Sequence, residues 1–152
     1  MNRKYSPLTH AQKRLWFDEK TYLNTPFANL AFTVKFRRDI SLELIQKAVN
    51  LLLAKNDGLR LQFVELNDGD RIGPSQYIAN YEEIKLDRFD FSGSHSKELP
   101  RWINRETRQP FNLIGNPLFY FAVLRLPSGE TGLYVNLHHL IADDWSINLL
   151  LN

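Results

Sequence analysis

The chain has 152 residues, enough for one domain that buries about 70% of the surface of its unfolded chain. Its 19 basic and 17 acidic residues are dispersed and leave a net charge of +2, which argues against nucleic-acid binding. The chain contains no cysteine, which excludes disulfides, thiolate zinc sites and cysteine nucleophiles, and no apolar run approaches the roughly 18 residues of a membrane span. With no apolar signal segment at the N-terminus, the composition favours a cytoplasmic protein.

The chain is predicted to open with a helix followed by a strand. Thr9, with Gln12 three residues later, is a capping box that begins a helix running through Asp18 or beyond. From Leu30 to Phe36, large apolar residues occupy every second position, which is typical of a strand with one buried face.

A second, strongly amphipathic helix is predicted to begin after Ser41 and to end at Asn56-Asp57-Gly58. Its apolar stripe consists of Leu42, Ile45, Val49 and Leu52, and it is widened by Leu44, Ala48 and Leu51. The alternation over 59–64 predicts a strand, and Asn67-Asp68-Gly69-Asp70 predicts the turn that follows it.

The rest of the chain is predicted to hold two weaker strands, a loop, a helix and a β-hairpin. In chain order they are Gln76–Ala79, Lys85–Phe91, Ser92–Ser94, Lys97–Arg108, and the hairpin of Phe119–Leu126 with Leu133–Leu137. Because helices and strands are mixed and at least one strand pair is antiparallel, the predicted fold class is α+β. We expect a two-layer sandwich with a mixed, largely antiparallel sheet and helices covering one sheet face.

A histidine pair follows the last predicted strand. Side chains alternate along a strand, so His139 is expected on the face that carries Leu137, and His138 on the opposite face. Asp143 or Asp144 can then cap a helix whose apolar face is Ile147, Leu149 and Leu150. A histidine in this position is more often a hydrogen-bonded core residue than a catalyst, and catalysis remains the alternative. No metal site is predicted, because adjacent strand side chains diverge and no further ligands cluster nearby.

Three stretches carry motifs in a fixed order. They are Leu8-Thr9-His10-Ala11-Gln12-Lys13-Arg14-Leu15-Trp16-Phe17, Asn56-Asp57-Gly58-Leu59-Arg60-Leu61-Gln62-Phe63, and His138-His139-x-x-x-Asp143-x-Trp145-Ser146. Together with Pro110–Leu113 and Pro117–Leu118, they resemble condensation domains of nonribosomal peptide synthetases. The resemblance covers the chain from about residue 6 to its end. It implies a chloramphenicol acetyltransferase-like lobe.

The resemblance also implies that residues 1–152 are the N-terminal lobe of a condensation domain, truncated before the second lobe. Such domains join an acyl or peptidyl thioester on one carrier protein to the amine of an aminoacyl thioester on another. The substrates are held on phosphopantetheine, and no cofactor is bound directly. The implied partners are the donor carrier protein, the acceptor carrier protein, the missing lobe and an adjacent adenylation domain. Neither a nucleic acid nor a membrane is implied as a partner. The fragment alone is expected to be inactive and to self-associate through apolar surface that the cut exposes.

The resemblance assigns the catalytic role to His139. Its imidazole can accept a proton from the attacking amine, or it can orient the amine and stabilise the tetrahedral intermediate. His138 and Asp143 complete the catalytic motif, and His138 is expected to support the loop. Arg60 is expected to grip Asp143 with its planar guanidinium, and a buried pair would lose about 3–5 kcal/mol if one partner were removed. A solvated Arg60 is the alternative.

The motif departs from the family pattern at two places. Asp144 stands where the family has glycine. Its side chain adds bulk and negative charge beside His139, or it only caps the helix. Asn56-Asp57-Gly58 replaces Arg-His-Glu. Trp145 and Ser146 match family positions, where they pack or hydrogen-bond around the turn, or they simply begin the helix.

Two other functions stay open. An epimerisation domain shares the His-His-x-x-x-Asp signature and would use the same histidine to transfer a proton at Cα. A non-catalytic relative would keep the lobe to dock carrier proteins or to recruit other enzymes, and Asp144 favours this second alternative.

Overall fold

The computed structural model describes residues 4–22, 25–37, 40–68, 71–93, 95 and 97–151. The turn predicted at 67–70 and the loop predicted at 92–94 extend onto positions 69, 70 and 94, which lie outside the described residues. Within these ranges, no helix has both the length and the apolar character needed to cross a membrane.

The elements follow one another in a mixed order of helices and strands. They are β1 (Ser6–Pro7), α1 (His10–Thr21), β2 (Asn29–Lys35), α2 (Leu42–Lys55), a 3₁₀ helix (Asp57–Arg60), β3 (Leu61–Asp68), β4 (Arg71–Ile78), β5 (Asp87–Asp90), α3 (Glu98–Thr107), β6 (Phe119–Arg125), β7 (Thr131–His138) and α4 (Asp144–Leu151). The strands form two sheets, in the orders β1-β4-β3 and β2-β7-β6-β5. Every strand pair is antiparallel except β5 with β6, which is parallel. The mixed α+β fold with a largely antiparallel sheet is confirmed.

The first two helix starts predicted from capping residues are present. Thr9 and Gln12 form the full capping box at the start of α1: the Thr9 hydroxyl accepts from the Gln12 N–H, and the Gln12 amide oxygen accepts from the Thr9 N–H. Ser41 caps α2 by accepting from the N–H of Leu44 at 3.2 Å. These starts depend on residues at most three positions apart, so the local sequence determines them.

The buried face of α2 differs from the predicted stripe, because Leu42, Leu44 and Leu51 are exposed and a polar residue is buried. Its buried residues are Ile45, Val49, Asn50 and Leu53. The side chain of Asn50 donates to the carbonyl of Ile84 at 3.0 Å and accepts from its N–H at 2.9 Å. A buried amide is tolerated when its hydrogen bonds are satisfied, and long-range partners such as Ile84 leave no trace in helical periodicity.

Helices pack on both faces of the larger sheet, not on one as expected. The face that carries Val135 and Leu137 packs against α2, whereas the opposite face packs against α3, where the ring centroids of Trp102 and Tyr134 are 5.0 Å apart. All eight residues of β7 are buried as a result. On the α3 face, the side-chain nitrogen of Asn136 donates to the carbonyl of Glu106 at 3.3 Å, and the hydroxyls of Tyr134 and Thr107 lie 3.1 Å apart.

The strand predicted from residue 59 begins two residues later, at Leu61. Residues Asp57–Arg60 instead form a 3₁₀ helix, in which the N–H of Leu59 donates to the carbonyl of Asn56 at 3.2 Å. Leu59 is still buried in the same core as α2, so its apolar character gave a correct burial but a wrong secondary structure.

Candidate active site

The end of β7 presents two adjacent histidines with very different environments. His138 is the last residue of the strand and is only 1% exposed, whereas His139, the first residue of the turn, is exposed. The backbone of both histidines is held from two sides. The N–H of His138 donates to the carbonyl of Leu118 at 2.9 Å, and the N–H of His139 donates to the carbonyl of Ala28 at 2.8 Å. The site is therefore a fixed stretch of backbone with one buried and one accessible imidazole.

The imidazole of His139 has a defined tautomer when it is neutral. Its Nδ1 lies 2.8 Å from the carbonyl oxygen of Ala142. A carbonyl oxygen can only accept, so Nδ1 carries the hydrogen and Nε2 carries the lone pair. A general base requires an accessible lone pair on a ring with a fixed orientation. The bond at Nδ1 fixes the ring of His139, and its side chain is exposed.

The imidazole of His138 is fully hydrogen-bonded inside the protein. Its Nδ1 accepts from the N–H of Leu140 at 3.1 Å, so its Nε2 carries the hydrogen and donates to the carboxylate of Glu19, 3.2 Å away on α1. Burial, together with the neighbouring His139, lowers the pKa of His138 to about 4, and burial raises the pKa of Glu19. These contacts keep His138 neutral and tie the turn after β7 to α1.

Asp143, and not Asp144, caps α4. One carboxylate oxygen of Asp143 accepts from both the N–H of Ser146 at 2.8 Å and its hydroxyl at 2.6 Å, and these bonds lower the pKa of Asp143. Asp144 is the exposed first residue of the helix. Trp145 is 74% exposed, so it does not pack around the turn as one interpretation expected.

The apolar face predicted for α4 is correct at two of its three positions. Ile147 and Leu150 pack against the core between α2 and the larger sheet. Leu149, by contrast, is 66% exposed and lies one helical turn beyond Trp145. The outer side of α4 therefore carries an exposed apolar stripe.

The predicted ion pair between Arg60 and Asp143 is wrong. The guanidinium of Arg60 donates to carbonyls in the last turn of α2, among them that of Ala54 at 2.8 Å, and to the carbonyl of Ala79 at 3.1 Å. It also pairs with Asp57 at 2.6 Å. The last carbonyls of a helix have no partner within it, and a cation at this end also favours the helix dipole. Arg60 therefore holds the end of α2, while Asp143 bonds to α4.

This difference gives a test of the cap. Asp143→Asn is expected to leave the free energy of unfolding nearly unchanged, because asparagine caps helices as well as aspartate, whereas Asp143→Ala is expected to cost about 1 kcal/mol. Urea unfolding followed by tryptophan fluorescence measures both variants. A loss of about 3–5 kcal/mol for Asp143→Asn would instead indicate a buried ion pair in solution.

The three motif segments meet in one apolar cluster. Trp16 comes from the first segment, Phe63 from the second and Leu140 from the third, and Leu8 and Leu118 complete the cluster. The ring centroids of Trp16 and Phe63 are 6.0 Å apart. Motifs that are separated by about 40 to 80 positions in the sequence thus support the same turn, the one that carries His139.

Two polar side chains that contact this turn were not predicted as site residues. Glu19 accepts from His138, and Gln12 donates from its side-chain amide to the carbonyl of Leu140 at 3.0 Å. In the sequence Gln12 indicates only a capping box with Thr9. Nothing in the sequence distinguishes Glu19 from the other acidic residues, because its partner lies 119 positions away.

His139 lies on an open surface of the described part of the chain. A cavity of about 880 Å³ is present beside α2 and the 3₁₀ helix, and its lining includes Leu59, Arg60 and Phe119 but not His139. The described residues therefore provide one wall at His139, without an enclosing second wall.

Comparison with known proteins gives consistent matches along the chain. A family model described as Condensation domain matches residues 2–152. A plipastatin synthase protein of Bacillus subtilis (strain 168) is 37% identical over 145 residues, which are 95% of this chain and 6% of that protein. Surfactin synthase subunit 1 of the same organism is 31% identical over 156 residues, covering 100% of this chain and 4% of that protein. The chain thus spans a small part of the length of these relatives.

Solved structures show the same fold. The starter condensation domain of rhizomide synthetase RzmA superposes with a TM-score of 0.86 at 24% identity, covering 97% of this chain and 37% of that one. The first condensation domain of the calcium-dependent antibiotic synthetase, in complex with a substrate analogue, gives a TM-score of 0.84 at 21% identity, covering 97% and 35%. The chloramphenicol acetyltransferase-like fold expected from the sequence is confirmed.

Proposed function

The chain belongs to the condensation-domain family, and we propose that the protein containing it forms amide bonds in nonribosomal peptide synthesis. Condensation domains of these synthetases are acyltransferase-type enzymes. The donor is an acyl or peptidyl thioester, the acceptor is an aminoacyl thioester, and both are held on phosphopantetheine arms of carrier proteins. The observation that carries the proposal is the exposed imidazole of His139, whose Nδ1–H is fixed on the Ala142 carbonyl.

In this proposal, His139 acts as the base. Its Nε2 accepts a proton from the acceptor amine as the amine nitrogen attacks the donor thioester carbonyl. The C–N bond forms, the C–S bond breaks, and the proton passes from the imidazolium to the leaving thiolate of the donor arm. The bond from Nδ1 to Ala142 holds the ring throughout and strengthens while the ring is positively charged.

The other motif residues support His139 without touching substrate. His138 holds the turn through Leu140 and Glu19, and Asp143 with Ser146 begins α4 directly after it. Arg60 stabilises the end of α2. The two remaining motif positions, Asp144 and Trp145, are exposed at the start of α4, where Asp144 would narrow the approach to His139.

We infer that residues 1–152 form the N-terminal lobe and that a second lobe of the same domain supplies the opposite wall at His139. The carrier proteins would deliver their arms between the two lobes, and an adenylation domain would load the acceptor carrier. The exposed stripe of Trp145 and Leu149 lies on the helix that follows His139, where the second lobe would cover it.

That stripe leads to a prediction for the 152-residue chain on its own. Exposed apolar patches tend to find partners, so the chain is expected to self-associate as its concentration rises. A Trp145→Lys, Leu149→Lys double variant is expected to shift the chain towards the monomer. Light scattering across a concentration series measures both, with Ile72→Lys as a control at another highly exposed apolar residue. A wild-type chain that stays monomeric throughout would contradict the prediction.

The experiment that tests the function uses the full-length protein with loaded donor and acceptor carriers. Amide formation is detected by mass spectrometry of the acceptor-bound product. Exchange of the Cα hydrogen for deuterium without amide product would indicate an epimerisation domain instead. Carrier binding without either reaction would indicate a docking relative.

A further inference from the structure

The side-chain amide of Gln12, at the start of α1, lies against the turn that carries His139. Its Nε2 donates to the carbonyl of Leu140 at 3.0 Å and to the side-chain oxygen of Gln76 at 2.9 Å. Its Oε1 accepts from the N–H of Thr9 at 2.9 Å. Only the last of these bonds belongs to the capping box, so the two donated bonds need another explanation.

The orientation of this amide is determined by its neighbours. The nitrogen of the Gln76 side chain donates to the carbonyl of Pro7 at 3.1 Å, so the oxygen of Gln76 faces Gln12. A flipped Gln12 amide would place its oxygen against two acceptor oxygens and its NH₂ group against the N–H of Thr9. Three neighbours therefore select the same assignment, with the NH₂ group towards Leu140.

The carbonyl that Gln12 holds is central to the geometry of the turn. On its other side, the N–H of Leu140 donates to Nδ1 of His138, and the N–H of Ile141 donates to the carbonyl of His138 at 3.0 Å. With both neighbouring N–H groups engaged and the carbonyl held by Gln12, the middle of the turn is fixed. Two residues after Leu140, the carbonyl of Ala142 accepts from Nδ1 of His139.

Gln12 also acts from a rigid element. The helix that carries it packs on the same turn through Trp16, which is 1% exposed and shares a cluster with Leu140. We propose that Gln12 is a positioning residue for His139: it sets the turn so that the imidazole bonds to Ala142 and directs its Nε2 lone pair at the acceptor amine. The proposal rests on the proposed amide-forming function.

One substitution separates positioning from capping. Gln12→Glu keeps an oxygen acceptor for the N–H of Thr9, and glutamate is a preferred residue at this place in a capping box. It has no hydrogen to donate to Leu140. A capping role alone predicts full activity, whereas positioning predicts a loss. Gln12→Met also lacks the donor but carries no charge, so a loss shared by both variants arises from the missing donor.

Thr9→Ala is the matched control. It removes the hydroxyl that caps α1 and leaves both donated bonds of Gln12 in place. Any effect of a weaker start of α1 should therefore be seen in this variant as well.

In the full-length protein, Gln12→Glu and Gln12→Met are each expected to lower kcat for amide formation by about 10- to 100-fold, with KM for the loaded acceptor carrier within about twofold of wild type. Hydrogen–deuterium exchange of the 138–142 backbone, followed by mass spectrometry, is expected to be faster in both variants. Thr9→Ala is expected to change neither kcat nor this exchange.

Wild-type kcat and unchanged exchange in Gln12→Glu would overturn the proposal, as would a raised KM at constant kcat. If the wild-type protein forms no amide, the proposed function fails and exchange alone decides the role of Gln12. Faster exchange at 138–142 in both variants would then support positioning of the turn, and unchanged exchange would overturn it.

Discussion

Replacing His139 by alanine in the full-length protein is expected to lower kcat for amide-bond formation by about 10²- to 10⁴-fold, the usual contribution of a positioned base. The variant removes the Nε2 lone pair that would accept the proton of the attacking amine. It changes no other side chain, so under the proposed function KM for both carriers should change little. Single-turnover formation of the amide product from pre-loaded carriers measures the chemical step directly.

The matched control is a histidine outside the site. His95 has a side chain that is 94% exposed and contacts Glu98, and His95→Ala is expected to retain the wild-type rate. A loss of less than tenfold for His139→Ala would contradict the role of a base. The reaction would then rest on bringing the two carriers together, which can by itself supply a large part of the acceleration.

The parts of the fold that were predictable from the sequence depend on local patterns. The starts of α1 and α2 follow from Thr9 and Ser41, because a cap and its partner lie three residues apart. The hairpin of β6 and β7 follows from β-prone residues on both sides of the turn signal Pro127-Ser128-Gly129. The motif segments predicted a fold and a site through their resemblance to a family, but not that Trp16, Phe63 and Leu140 pack together.

The errors arise where long-range partners override local patterns. Arg60 was predicted to be a strand residue that could reach Asp143. Helix α2 ends beside it, however, and the guanidinium donates to the carbonyls of the last turn of α2. In β7 the alternation placed His138 opposite Leu137, but it did not show that α3 covers this face, where Asn136 is buried and donates to the carbonyl of Glu106. Alternation distinguishes two faces of a strand without showing whether a second layer covers the polar one.

The position of His139 also shows the limit of strand periodicity. Alternation placed it on the same side as Leu137, which is fully buried, whereas His139 is exposed because β7 ends one residue before it. The turn redirects the side chain to the surface. Its tautomer depends on the carbonyl of Ala142, a contact that only the folded turn creates.

Acidification is expected to destabilise the chain through the buried imidazole of His138. Inside the protein, burial keeps His138 neutral, and the N–H of Leu140 occupies Nδ1, where a proton would break that bond. Its pKa is lowered to about 4 from an ordinary 6.5. Between these two values the unfolded chain binds a proton that the folded chain does not, so stability falls as the pH falls.

This contribution is therefore complete above about pH 6.5 and is lost progressively towards pH 4. From the two pKa values, the loss expected from His138 alone is about 2 kcal/mol between roughly pH 7.5 and 5, and about 3 kcal/mol by pH 4. Urea unfolding at each pH measures it, at a concentration where light scattering shows a monomer. Tryptophan fluorescence is a suitable signal because Trp16 lies in the cluster beside this turn.

Glu19 acts in the opposite direction, and two variants separate the contributions. Burial raises the pKa of Glu19, so the folded chain takes up a proton at this carboxylate before the unfolded chain does, which favours folding as the pH falls. Glu19→Gln removes that compensation and is expected to show at least the wild-type loss between about pH 7.5 and 5. His138→Gln removes the titrating imidazole and is expected to abolish the loss or reverse its sign. A loss that persists unchanged in His138→Gln would assign the acid sensitivity to another group and leave His138 as a purely steric support of the turn.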